Sequence, residues 1–351
     1  MPVHDLIIVG AGPAGLAAAI SAKQAGLDFR IFEKGVLVNS LFGFPSQMVF
    51  FTTPELLEIG GLPFVTARDK PTRDETLRYY RRVVDTYRLD IAFGHTMTAL
   101  TREGSGLDVC FKLHTSDERE HDLEWRARTV LLATGCYDRP NRLSIPGEDL
   151  SHVSHYYTEP HAFYRKHVVI VGGKNSAAEA ALDLYRSGAN VTLVHRRSKL
   201  GASIKYWVKP DIENRIKEGS IDARFETRVV EIRRGQVVVE SVAEESGDSK
   251  QEVLPADGVF LLTGYVADLD SLKACGVAVD PNALVPRHDP KTFETNVSGL
   301  YLAGSVVAGA NRGEVFIENG RFHGQVVVEE ISRRLGHFGK PGNGKQKLKV
   351  S

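Results

Sequence analysis

The chain has 351 residues, 42% hydrophobic and 25% charged, with 44 Lys+Arg balanced by 44 Asp+Glu. That length suits two globular domains of roughly 150 residues each, and the balanced charge offers no global field for nucleic acid or a membrane surface. No apolar run approaches the roughly 20 residues of a membrane span, and the three cysteines, Cys110, Cys136 and Cys275, form neither a C-x-x-C nor a metal-ligand cluster, which points to a reducing, cytoplasmic compartment.

The opening stretch, Asp5–Lys34, reads strand, glycine turn, helix, strand, acid. Leu6–Val9 is a short apolar run suited to a buried parallel strand. Gly10-Ala11-Gly12-Pro13-Ala14-Gly15 fits G-x-G-x-x-G. Gly10 allows the tight turn, Gly12 lets a pyrophosphate approach the backbone, and Gly15 lets helix and strand pack closely. The alanine-rich helix Leu16–Gly26 would turn its free N–H groups and positive dipole end toward phosphates. Glu33 closes the second strand, Phe29–Phe32, at the acid position roughly 20 residues after the turn. A carboxylate there accepts from ribose hydroxyls and repels a 2′-phosphate, so this unit is expected to hold FAD or NAD. Position 1 is only a few residues from the first strand, so no leader segment is expected.

Residues 36–64 are rich in aromatics, Gly and Pro and have no clear period. A loop of that length is usually functional, and it is a candidate cover for the cofactor's reactive ring. Thr72–Tyr87 reads as a helix with Leu77, Tyr80, Val83, Val84 and Tyr87 on one face. Short antiparallel strands are expected at 91–93, 96–101, 107–114 and 123–128. Thr129–Gly135 is a separate buried strand ending in Ala-Thr-Gly. The turn-rich connector that follows, with Pro140 and Pro146, suits a domain boundary.

The pattern then restarts. His167–Val171 is a strand, Gly172-Gly173-Lys174-Asn175-Ser176-Ala177 a second glycine turn, Ala178–Gly188 a helix and Val191–Val194 a second strand. Lys174 stands where the middle glycine would be. Where the first unit has Glu33, the second has His195-Arg196-Arg197, and positive charge there suits a 2′-phosphate. The first unit is therefore read as FAD-binding and the second as NADPH-binding, with Lys199 and Lys205 as candidate helpers. A helix and strands follow at 212–216, 221–225 and 228–233, with a hairpin around Gly235. Asp257–Gly264 is a third apolar strand, and Leu300–Ala303 is expected to return to the first sheet. A helix from about Val315 would face the flavin pyrimidine with its first N–H groups. The Gly/Lys-rich end of the chain reads as a flexible tail.

Taken together, Gly10–Gly15, Ala133-Thr134-Gly135, Gly172–Ala177, His195-Arg196-Arg197 and Leu302-Ala303-Gly304 resemble the low-molecular-weight thioredoxin reductase family over nearly the whole chain. Within it, VNSLFGFP, GGKNSA, SIKYWVKP and FIENGRFHG resemble the bacillithiol disulfide reductase branch, whose members also lack C-x-x-C. The resemblance implies an α/β fold of two Rossmann-like, three-layer ββα dinucleotide-binding domains, the NADPH domain (150–255) inserted in the FAD domain (1–149 and 256–340), with 341–351 as tail. It implies FAD contacts at Gly10, Gly12, Pro13, Ala14, Gly15, Glu33, Lys34, Asn39, Ser40, Thr134, Gly135, Gly304, Ser305, Phe316 and Ile317. The NADPH contacts would be Gly172, Gly173, Lys174, Asn175, Ser176, His195, Arg196, Arg197 and Lys205. It also implies a homo-oligomer, dimer or tetramer, reducing a small thiol disulfide with NADPH through FAD. Two residues depart from the pattern. Ala14 stands where the branch has the cysteine thought to form a mixed disulfide, and Ser305 stands where the wider family has Asp. Cys136 is the one thiol near a cofactor motif and the weak candidate for a redox role. The alternatives are a reductase of ferredoxin, flavodoxin or quinone, and a flavin-binding sensor without catalysis. A monooxygenase would need an F-x-G-x-x-x-H signature that the chain lacks.

Overall fold

The computed structural model describes residues 2–104, 110–242, 249–310 and 315–337. The expected tail at 341–351 lies outside them. Two compact units emerge. One comprises the chain up to Phe42, Thr52–Arg139 and everything from Val266 onward; the other comprises Gly43–Phe51 and Pro140–Tyr265.

The first unit opens with β1 (Val3–Val9), α1 (Pro13–Gln24), β2 (Phe29–Glu33) and the single turn α2 (Asn39–Phe42). Then come α3 (Arg73–Tyr87), β3 (Ile91–Phe93), β4 (Thr96–Glu103), β5 (Cys110–Ser116) and β6 (Asp122–Leu132). The strands run in the order β3-β2-β1-β6-β5-β4. β6 is one strand where the sequence suggested two. Its first half pairs antiparallel with β5 and its second half parallel with β1. The first half is therefore open to solvent on one face and the second is buried on both, which is why its pattern changes at Thr129. α3 starts in a full capping box, Thr72 with Glu75, and buries Tyr79, Tyr80 and Val83. Tyr79 was not on the expected face; its hydroxyl donates to Leu62 O at 2.9 Å, and that of Tyr80 to Leu57 O at 3.0 Å. The two tyrosines fasten the 57–62 segment to the helix.

The second unit contains β7 (Val153–Ser154), β8 (His167–Val171), α4 (Asn175–Arg186), β9 (Asn190–Val194), α5 (Lys209–Lys217) and β10 (Asp222–Arg224). An antiparallel sheet follows, β11 (Thr227–Arg233), β12 (Gln236–Val242) and β13 (Ser249–Pro255), and then β14 (Gly258–Leu261). The parallel sheet runs β10-β9-β8-β14-β7. Alternate residues serve its two faces: Val168, Ile170 and Leu193 pack on α4 and α5, while Val169, Val171 and Val194 pack on β11–β13. That is the three-layer ββα arrangement. Gly43–Phe51, part of the 36–64 segment, clusters with this unit. Ser46 N donates to Thr158 O at 2.9 Å, and the Lys205 ammonium lies 5.7 Å over the Phe51 ring.

The chain returns to the first unit with α6 (Leu269–Ala274), β15 (Leu300–Leu302), α7 (Ile317–Gly320) and α8 (His323–Arg334). β15 lies parallel to β6, as the apolar run predicted. α8 lies against α1 so closely that a Cβ at Gly324 would come 2.5 Å from the Ala18 amide. The expected continuous helix from Val315 is instead two, interrupted at Arg321-Phe322. Among the described residues no helix is long and apolar enough to cross a membrane, and no cluster of acids, histidines or cysteines could hold a metal.

Candidate functional site: two glycine turns of opposite charge

In the first unit, three strand ends are brought level by backbone bonds. Gly10 N donates to Phe32 O, Ala133 N to Val9 O and Ala303 N to Leu132 O, at 2.7–3.1 Å. The carboxyl end of the sheet thus collects Gly10–Gly15, Thr134-Gly135 and Gly304-Ser305, the place where open α/β sheets bind ligands. The glycines divide as their chemistry predicts. A Cβ at Gly10 would meet Ala133 O at 2.4 Å and one at Gly15 would meet Gly10 O at 2.0 Å, so both are needed for internal packing. At Gly12 a Cβ would meet nothing within 4 Å. Of the three glycines of this turn, only Gly12 faces open space.

The helix behind the turn is prepared for an anion. α1 has Pro13 in its first turn, no side-chain cap and no acid there. By contrast α3 carries Asp74, Glu75 and its capping box, and α6 is capped by Asp268. α1's leading N–H groups thus have no side-chain cap and no acid beside them, the condition under which a helix start can receive an anion. Glu33 is 7% exposed; one carboxylate oxygen accepts from Ala11 N at 2.8 Å and the other from Gly35 N at 2.9 Å. These bonds fix the carboxylate, and each oxygen keeps a lone pair for a ribose hydroxyl.

The neighbouring residues are placed unequally. Val38 is buried at φ +48, strained for a β-branched residue, with its N–H on Ala11 O at 3.2 Å. It starts the turn that presents Asn39 and Ser40. Asn39 leans over Gly35 and accepts weakly from Val36 N at 3.4 Å. Lys34 pairs with Asp138 at 2.8 Å. Ser305 Oγ lies 3.7 Å from the Cβ position of Gly135. Phe316 is the N-cap of the one-turn helix α7, and its N–H is taken by Asn319 Oδ1 at 2.8 Å. The expected row of free N–H groups at Phe316 and Ile317 is therefore short and partly satisfied.

The second unit repeats the geometry. Gly172 N donates to Val194 O at 3.1 Å, matching Gly10 to Phe32. A Cβ at Gly172 would strike Leu262 O at 2.7 Å. α4 again has no side-chain cap and no acid in its first turn; its N-cap is the exposed Lys174. Asn175 accepts from Lys205 N at 2.9 Å and donates to Ser203 O at 3.0 Å, so it ties the 203–205 segment to the helix start. Ser176 is exposed beside it. His195 is a wall rather than a charge. Its ring lies over Gly173, where a Cβ would be 2.2 Å from Cε1. Burial, then Arg197 and Arg196, push its pKa below the usual histidine value. Lys205 is committed to Glu179 at 2.5 Å. The positive charge at this strand end without a carboxylate partner among the described residues is therefore on Arg196, Arg197 and Lys199, all exposed.

Cys136 and Cys275 pack on the core of the first unit, and burial raises the Cys275 pKa to about 11. Ala14 Cβ lies 2.9 Å from the Cβ position of Gly304, inside the turn. Sequence reasoning missed His323, whose Nδ1 accepts from Gly304 N at 3.3 Å. Nothing in the sequence links residues 19 positions apart on different elements.

This geometry has known relatives. The family model of pyridine nucleotide-disulphide oxidoreductases matches residues 7–304. The chain belongs to that family. It is 40% identical to the bacilliredoxin reductase Bdr of Bacillus subtilis (strain 168) over 331 residues, covering 94% of this chain and 98% of the relative. It superposes on the bacillithiol disulfide reductase Bdr (YpdA) from Bacillus cereus with a TM-score of 0.89, 36% identity and coverage of 95% and 100%. A ferredoxin–NADP reductase of Ignicoccus hospitalis is 26% identical over 88% of this chain and 92% of its own. The chain is thus an NAD(P)H-dependent flavin oxidoreductase of the disulfide reductase class, and FAD and NADPH are its cofactors.

Proposed function

We propose that the Gly10–Gly15 turn holds FAD, that the Gly172–Ser176 turn holds NADPH, and that the electron acceptor is a low-molecular-weight thiol disulfide such as bacillithiol disulfide. The observation that carries the cofactor division is the charge at the two strand ends: a buried, fixed Glu33 in one unit and, in the other, the guanidiniums of Arg196 and Arg197, exposed and without a carboxylate partner among the described residues. A carboxylate accepts from ribose hydroxyls, and a planar fork binds a 2′-phosphate. The bound flavin supplies the hydride chemistry; the chain supplies binding, orientation and electrostatics. The open space at Gly12 and the uncapped start of α1 receive the pyrophosphate. Gly135 and Ser305 border the same turn. The acceptor rests on near-full-length likeness to relatives named for bacilliredoxin and bacillithiol disulfide.

A second reading, reduction of ferredoxin, flavodoxin or quinone, is favoured by Ala14. No thiol stands in the first glycine turn to open a disulfide, and Cys136 is a packing residue. Anaerobic mixing with NADPH, followed by addition of bacillithiol disulfide, ferredoxin or menaquinone, separates the readings. NADPH is expected to bleach the visible flavin band, and the disulfide to restore it. Ala14→Cys is expected to speed that restoration. Restoration by ferredoxin or quinone alone would move the acceptor to the second reading, and bleaching by NADH alone would overturn the cofactor division.

A further inference from the structure

The Gly304 turn is closed by His323. Gly304 has φ +77, and a Cβ there would come 2.9 Å from Ala14 Cβ. The Cβ position of Gly320 lies 3.3 Å from Gly304 Cα. The start of α1, the end of β15 and α7 therefore meet with no spare volume. Into this junction the Gly304 amide donates to Nδ1 of His323 at 3.3 Å. An amide can only donate, so Nδ1 carries the lone pair and the proton is on Nε2. The ring is held from outside as well. It stacks on Phe293 at 4.1 Å and 21°, and Phe293 stacks in turn on His288 at 5.9 Å and 17°. Phe293 O accepts from Leu302 N at 3.0 Å, so the wall behind the imidazole is fastened to the strand that ends in Gly304. Burial, then His288, holds the His323 pKa down at about 4, which keeps the Nδ1 lone pair available at neutral pH.

We propose that His323 is a positioning residue for the flavin: its Nδ1 anchors the Gly304 amide, so that the Gly304-Ser305 turn keeps the backbone shape that receives the cofactor. Ser305, the next residue of the turn, brings no charge of its own. The inference rests on the assignment of Gly304 and Ser305 to FAD made above.

The test is FAD binding to the deflavinated protein, read by quenching of flavin fluorescence and by the visible circular dichroism of the bound flavin. His323→Asn places an amide oxygen where Nδ1 was; His323→Gln carries its oxygen too far, and His323→Leu removes the acceptor. The FAD Kd is expected to rise about tenfold in His323→Leu and His323→Gln and to stay within about threefold in His323→Asn. The visible dichroism should change in the first two only. Wild-type Kd and dichroism in His323→Leu would overturn the proposal. Should that variant fail to refold after flavin removal, equal Kd values in the Gln and Asn variants would overturn it just as well. Ser305→Phe separates the two assignments. Weakened FAD binding there, with His323→Leu unaffected, sinks the role of His323 and leaves the turn as a flavin contact. Unaltered binding in both removes the turn from the flavin site.

Discussion

At the end of β9, the proposed preference for NADPH rests on the arginines of the basic triplet. His195 stands first in the basic triplet, but its ring is spent on covering Gly173 and is held neutral by burial and by the two arginines. Lys205, further along, is neutralised by Glu179. Arg196, Arg197 and Lys199 remain exposed without a carboxylate partner among the described residues, and of these only the two arginines carry a planar fork. Replacing both by Ala is expected to raise the KM for NADPH about 10- to 100-fold, the loss of charge-assisted bonds to a phosphate, and to change the KM for NADH about twofold or less. Steady-state kinetics with both nucleotides checks it; equal effects would show that the triplet does not read the 2′-phosphate. The residue types at this site were legible in the sequence because glycine, acid and arginine each have a chemical reason at a fixed place in the βαβ unit. Which charges are free was not legible. That Lys205 faces Glu179, 26 positions earlier, and that His195 lies on Gly173 are tertiary facts with no local signal.

At the level of elements, the two βαβ units could be read directly, since a glycine turn between an apolar run and an alanine-rich helix has few other meanings. Two elements could not. β6 looked like two strands because its pairing changes partway from antiparallel to parallel. The C-terminal pattern from about Val315 reads as one helix, although Gly320 must lie against Gly304 and the chain turns there to bring His323 onto its amide. Helix ends show the division of labour between stability and binding. α3 stabilises itself: the Thr72 hydroxyl accepts from Glu75 N at 3.2 Å, and the Glu75 carboxylate, its pKa lowered by bonds from Thr72, accepts from Thr72 N at 2.8 Å. α1 and α4 have no side-chain cap and no acid there, as the proposed binding of cofactor phosphates requires. Thr72→Ala should therefore destabilise the protein by about 1 kcal/mol, lowering Tm by about 2 °C, with FAD content unchanged. Differential scanning calorimetry with a flavin absorbance ratio measures both, and loss of flavin alongside Tm would mean that α3 supports the cofactor rather than the fold alone.

For the molecule as a whole, the same structural histidines set an acid limit. His323 has a folded pKa of about 4 against an ordinary value of 6.5, and that of His195 is also lowered. A base whose folded pKa is depressed binds its proton first in the unfolded chain. The unfolded state then holds more protons, and stability rises with pH across that window. The contribution is fully present above about 6.5 and is lost as pH falls toward 4. The carboxylates with lowered pKa values, Glu75, Glu252 and Asp280 among them, act later: their contribution is lost only as pH falls through folded values below the usual 3.8–4.5. Acid destabilisation should therefore come in two stages, the first owed to the half-buried histidines of the two glycine-turn regions. Tm measured from pH 8 to pH 4 is expected to fall in the upper stage for the wild type. In His323→Asn, whose amide does not titrate but still accepts from Gly304, that fall should be shallower, with the remainder owed to His195. A Tm–pH curve of identical slope in the two proteins would mean that His323 takes up its proton within the fold, and that the imidazole over the Gly304 turn is not the neutral, fixed acceptor that its packing against Phe293 describes.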